Sequence, residues 1–183
     1  MPAHMKRILA GTGAGCLMLL ALVLTAGAQS LKFPELSGRV VDQANILDAS
    51  TKAALTEKLR ALEERTTNQL VVVTLASLQG TSIEDYGYQL GRQWHIGQKD
   101  KNNGALLIVA PNERKVRIEV GYGLEGSLTD AVTKLIIENS ILPRFRANDF
   151  AGGITRGTDD IVAVLSGQAD EYKQRAAKRP VRA

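Results

Sequence analysis

The apolar positions change period several times along the chain, and each change marks an element. Val40-Val41-Asp42 reads as a short edge strand closed by a turn over Asp42 to Asn45. From Thr51 to Arg65, Leu55, Leu59 and Leu62 recur every three or four positions. That spacing predicts an amphipathic helix capped by Asp48 or Ser50. Gln69 to Leu78 is instead rich in Val and Leu and bounded by Gly80, as expected of a buried central strand. Ser82-Ile83-Glu84-Asp85 opens like a capping box, and the helix behind it puts Ile83, Tyr86, Leu90 and Trp94 on one stripe before Gly97. Gly104 to Ala110 is a second apolar strand. After a turn at Pro111-Asn112-Glu113, Val116, Ile118 and Val120 alternate with Lys115, Arg117 and Glu119, which predicts a hairpin with one wet face.

The last third is helical. Thr129 to Ser140 turns Val132, Leu135 and Ile136 inward, Pro143 starts a fresh turn or helix, and Asp149 to Leu165 carries Ile154, Ile161, Val162 and Leu165. Gly152, Gly153 and Gly157 weaken the start of that last helix. The order β-α-β-α-β-β-α-α predicts an α/β fold, a compact sandwich with a mixed sheet of about four strands flanked by helices on both faces.

The two ends differ from this core. Lys6 and Arg7 precede an apolar run from Leu17 to Leu24, and Ala26-Gly27-Ala28 supplies small residues for cleavage. Residues 1–28 are therefore expected to be a signal peptide cut after Ala28, with the mature protein periplasmic or secreted and without a membrane span. Cleavage removes Cys16, the only cysteine, which excludes disulfides, thiolate metal sites and a cysteine nucleophile. Residues 29–37 read as an extended arm, 38–166 as the folded domain, and 167–183 as a basic, disordered tail. The tail residues Lys173, Arg175, Lys178, Arg179 and Arg182 face a single acid after 170, Glu171, so the formal net charge of +4 does not belong to the fold. With a slightly acidic core and no interleaving of aromatic and basic residues, nucleic-acid binding is not expected. A monomer is expected.

The motifs in order are Gly38-Arg39-Val40-Val41-Asp42-Gln43-Ala44-Asn45-Ile46-Leu47, Gln69-Leu70-Val71-Val72-Val73-Thr74 and Trp94-His95-Ile96-Gly97. They continue with Asn102-Asn103-Gly104-Ala105-Leu106-Leu107-Ile108, Arg117-Ile118-Glu119-Val120-Gly121-Tyr122-Gly123-Leu124-Glu125-Gly126 and Leu128-Thr129-Asp130-Ala131. Together, over about 36–166, they resemble the TPM domain of exported bacterial proteins, related to a plant thylakoid-lumen acid phosphatase. The resemblance implies a four-stranded mixed sheet flanked by helices. It also implies a choice of activities: acid phosphatase, binder of calcium or another divalent ion, or factor in the assembly or repair of membrane complexes. Many members end in a transmembrane segment or low-complexity tail, where this chain has a short basic one.

Candidate chemistry gathers at the loop from Gly121 to Asp130. Its glycines expose backbone carbonyls, which hard cations such as Ca²⁺ or Mg²⁺ accept alongside carboxylates. If the strands before them are neighbours, Asp42, Glu125 and Asp130 meet at one edge of the sheet and form a metal site, with Gly121, Tyr122 and Gly123 as further binding residues. Each acid also has a structural role open to it: Asp42 in a turn, Glu125 in solvent, Asp130 in a first helical turn. The expected function is a cell-envelope domain that binds a divalent cation and a protein partner. The alternative is an acid phosphatase in the same cleft, with Asp42 and Asp130 handling protons and the Gly121 and Gly123 amides meeting the phosphoryl oxygens. Arg117 steadies a phosphate only if it points at that loop. No Asp-x-Asp nucleophile, Cys-x5-Arg loop or histidine pair is present to carry such chemistry. Gly121-x-Gly123-x-x-Gly126 matches the dinucleotide fingerprint by letter, but it follows a hairpin and opens no βαβ unit, so no nucleotide cofactor is expected. His95 reads as a partner of a helix C-terminus, and Asp159-Asp160 as a solvated face.

Overall fold

The computed structural model describes residues 30–177. The expected signal peptide and its cleavage site lie outside that range. Four strands form one sheet in the order β1-β2-β3-β4. They are β1 (Val40–Asp42), β2 (Gln69–Thr74), β3 (Gly104–Ala110) and β4 (Lys115–Val120). β1, β2 and β3 are mutually parallel, and β4 returns antiparallel to β3. The fold is the mixed α/β sheet that the apolar pattern predicts.

Helix α1 (Ala49–Thr66) joins β1 to β2 and α2 (Ile83–Trp94) joins β2 to β3. The C-terminal half begins with α3 (Asp130–Ile136), a π-turn (Ile137–Ile141) and α4 (Leu142–Arg146). There follow α5 (Phe150–Ala163), a second π-turn (Val164–Gln168) and α6 (Ala169–Ala177). The capping residues are those the sequence offers. Asp48 accepts from the Thr51 amide, Ser82 from Asp85, Thr129 from Val132 and Asp149 from Gly152. Hydrogen bonds from Ser50 and Thr51 hold the Asp48 carboxyl down at about 2.

Strand alternation divides the core. Leu70, Val72, Leu107, Val109 and Ile118 point to the face covered by α1 (Leu55, Leu59, Leu62), α3 (Val132, Ile136) and α5 (Ile154, Ile161). Ile108 and Leu106 point the other way, onto Gly87 and Gly91 of α2. The arm reinforces that second face. Phe33 meets the Tyr86 ring edge-on, with centroids 5.1 Å apart, and the Trp94 indole N–H donates to the Pro34 carbonyl at 2.9 Å. The three parallel strands lie in chain order while their two crossover helices lie on opposite faces. The two crossovers therefore have opposite hands, although about 98 % of such connections are right-handed.

Three expectations change. β2 stops at Thr74 rather than Leu78, because side chains replace the strand ladder beyond Leu75. The Ala76 amide donates to Gln43 Oε1 and the Leu78 amide to Glu113 Oε1. The tail expected from 167 begins as a docked helix, with Tyr172 and Ala176 of α6 buried. In α5, Gly153 and Gly157 are contact points, because a Cβ at either would press on Phe145 or Ile141 at 2.6 Å.

Candidate functional site

The loop after β4 is built by close backbone contact. Gly121 donates its amide to the Gly104 carbonyl at 2.7 Å, and Gly123 donates to the Asn102 carbonyl at 3.1 Å. A Cβ at Gly121 would collide with the Asn102 carbonyl, and one at Gly123 with the Lys101 carbonyl. These glycines thus dock the loop on the 101–104 segment. Their amides are spent, so they are not the phosphoryl donors expected of them. A 3₁₀ turn over Tyr122–Leu124 follows, and Leu124 and Leu128 anchor it in the core.

The fixed loop presents its polar and aromatic groups outward. Tyr122 is 80 % exposed, the most exposed large apolar residue in the described chain. Glu125 and Asp130 are exposed as well. Among the described residues, neither carboxylate has a side-chain partner. Asp130 opens α3 behind its Thr129 cap, where the helix dipole favours a negative charge.

Asp42 is elsewhere. It ends β1 at one edge of the sheet, opposite Thr74, which pairs with Val109 near the carboxyl end of β3. The Gly121 loop leaves β4 at the other edge, after Val120, which pairs with Ala105 at the amino end of β3. Three strand spacings separate the two edges by roughly 14 Å, and the offset along β3 adds about 13 Å. The condition for convergence fails, and Asp42 does not share a site with Glu125 and Asp130. Its side chain is 2 % exposed and already engaged. Oδ1 accepts from the Ile46 amide at 3.1 Å and the Thr74 hydroxyl at 2.6 Å, and Oδ2 accepts from the Leu47 amide at 3.1 Å. Lys52 Nζ stands 3.7 Å away. This carboxylate organises the β1–α1 loop.

The three acids therefore do not fit a single cation site, and among the described residues no group of three or more His, Cys, Asp or Glu is placed to hold a metal. Arg117 pairs with Glu119 at 2.6 Å, on the side of the sheet that carries α2, and does not reach the loop. His95 caps α2 in the left-handed region, φ 51°, with its ring Nδ1 near the Gln93 carbonyl. Asp159 pairs with Lys58. Asp160, expected on a solvated face, is 5 % exposed and bonded to Ser140 and Arg156. Its signal in the sequence is the Arg156 four residues earlier, a spacing that places both on one helix face.

With this geometry in view, comparison with known proteins identifies the class. The family model of the TPM domain matches residues 40–164, and the chain belongs to that family. The N-terminal domain of a protein from P. gingivalis, solved by NMR, is 36 % identical, covers 73 % of this chain and 86 % of its own, and superposes with a TM-score of 0.67. The N-terminal domain of a Corynebacterium glutamicum protein is 20 % identical over 74 % of this chain and 84 % of its own, with a TM-score of 0.56. A protein of the psychrophilic bacterium Bizionia argentinensis is 20 % identical over 69 % and 83 %, with a TM-score of 0.58. The last two show likeness of fold alone. No curated protein matches the chain. Among the described residues, no helix is long and apolar enough to cross a membrane.

Proposed function

We propose that this chain is an exported, cell-envelope binding module that engages a protein partner through the loop from Gly121 to Asp130, in the service of assembling or repairing a membrane complex. The observation that supports this reading is Tyr122. A large aromatic side chain left 80 % exposed on a backbone locked by two inter-segment hydrogen bonds offers contact area with little ordering cost. Glu125 and Asp130 beside it add an acidic rim that favours a basic partner surface.

A divalent cation, Ca²⁺ or Mg²⁺, enters this reading through Glu125 and Asp130 alone. Among the described residues their carboxylates have no side-chain partner, which leaves the rest of an oxygen shell to water or to the partner. Acid phosphatase activity has less support, because the Gly121 and Gly123 amides are occupied and Asp42 is remote.

The test replaces Tyr122 with a photocrosslinking residue in cells, with Tyr88 as an equally aromatic exposed control. A discrete adduct from position 122, absent from 88 and weakened by Asp130→Ala, is the expected result. Equal labelling at both positions, or none, overturns the reading. Calorimetry with Ca²⁺ and Mg²⁺ decides the cation: binding lost in Asp130→Ala and kept in Asp42→Asn assigns it to the loop.

A further inference from the structure

The two π-turns of the C-terminal half converge on one cleft, and such turns inside helices are frequent at functional sites. The first brings Asn139 and Ser140 to the lining. The second, with Gly167 at φ 96°, redirects the chain into α6, which contributes Tyr172, Arg175 and Ala176. Arg156 and Asp160 of α5 complete a cleft of about 60 Å³. Tyr172 and Arg175 lie beyond the residues that the family model matches, 40–164.

The hydrogen bonds determine which groups remain available. Asp160 accepts from the Ser140 hydroxyl through Oδ2 and pairs with Arg156 Nη2 at 3.3 Å through Oδ1. Ser140 thus spends its hydroxyl hydrogen on Asp160, and its oxygen keeps only accepting capacity. Burial first, and then the Asp160 charge, push the Tyr172 phenol up, so it stays neutral. Two guanidinium charges face one carboxylate. A guanidinium has five donors, and Asp160 engages one corner of Arg156 while fixing its direction. Arg175 forms no ion pair among the described residues; its Nε reaches the Glu171 carbonyl at 3.4 Å.

We propose that this cleft binds a carboxylate, gripped by Arg156 and Arg175 with the Asn139 amide beside them. The surplus of one positive charge matches a carboxylate, whereas a phosphate monoester brings about −1.5 to −2. A planar pair of oxygens also suits the guanidinium fork. The carboxylate arrives on a small free acid or on a peptide, and the two sources share this chemistry.

Isotope-labelled protein is titrated by NMR with acetate, with N-acetyl-trialanine, with the amide of that peptide and with inorganic phosphate. Saturable shifts of the Asn139 amide and of the Arg156 and Arg175 guanidinium signals are expected with the first two, in the millimolar range for acetate. The peptide amide leaves them unmoved. Tenfold tighter binding of the peptide acid than of acetate assigns the source to a peptide, and equal affinity assigns it to a small acid. Arg175→Gln weakens binding at least about tenfold without lowering Tm, since Arg175 is exposed. A triple Lys178→Ala, Arg179→Ala, Arg182→Ala variant binds as the parent does. Absence of saturation, retention in Arg175→Gln, loss in the triple variant, or a preference for phosphate overturns the proposal.

Discussion

At the scale of single residues, Asp42 shows how a buried acid mimics a catalytic one in sequence. It follows a strand, precedes a helix and sits in a motif, as a metal ligand or proton carrier would. In the fold its two oxygens accept from Ile46, Leu47 and Thr74, so removing it strands two amides and a hydroxyl. Each buried donor left without a partner costs about 1–3 kcal/mol. Asp42→Ala should therefore lower unfolding stability by roughly 3 kcal/mol in urea denaturation, whether or not divalent metal is present. Unchanged stability would remove the structural assignment. Thr74→Val should give a smaller loss in the same assay, about 1–2 kcal/mol, because the carboxylate keeps its two amide donors while the half-buried Ala44 amide loses the Thr74 oxygen it donates to.

At the scale of elements, periodicity revealed most of what is there. The helices with clear apolar stripes and capping residues lie where the spacing puts them, and the β3–β4 hairpin follows its alternation. What the sequence did not reveal is adjacency. Nothing in Val40–Asp42 or Lys115–Val120 says that these strands occupy opposite edges, because strand order is decided by how helices pack between them. The glycine loop is ambiguous in sequence for a related reason. Three glycines in six residues announce a close approach, but not whether a ligand or a backbone makes it. Here the partner is the backbone of 101–104, which gives a sharp contrast between neighbours. Gly123→Ala should destabilise by roughly 2–3 kcal/mol or shift the loop, whereas Gly126→Ala, with nothing within 4 Å of a Cβ, should stay within about 0.5 kcal/mol of the parent. Thermal melts of the two variants check this directly. The carboxylate cleft was less legible still. Its residues span 139 to 176, and a π-turn has no compositional signature.

At the scale of the whole molecule, the two faces of the sheet are unequally covered. Several C-terminal helices pack on one side, while α2 and the arm serve the other, an asymmetry that comes with crossovers of opposite hand. Trp94 is the only tryptophan in the chain, 9 % exposed, with its indole N–H bonded to the arm at Pro34. The protein therefore carries an intrinsic fluorophore whose emission reads one event, the seating of that arm. Phe33→Ala, which removes the edge-on contact with Tyr86, should shift emission to the red while far-UV circular dichroism stays unchanged. Emission that stays blue would mean the arm is held without Phe33. In denaturant, the fluorescence transition should come before the loss of helix signal. The two probes would then report a lifting cover and a melting core as separate steps.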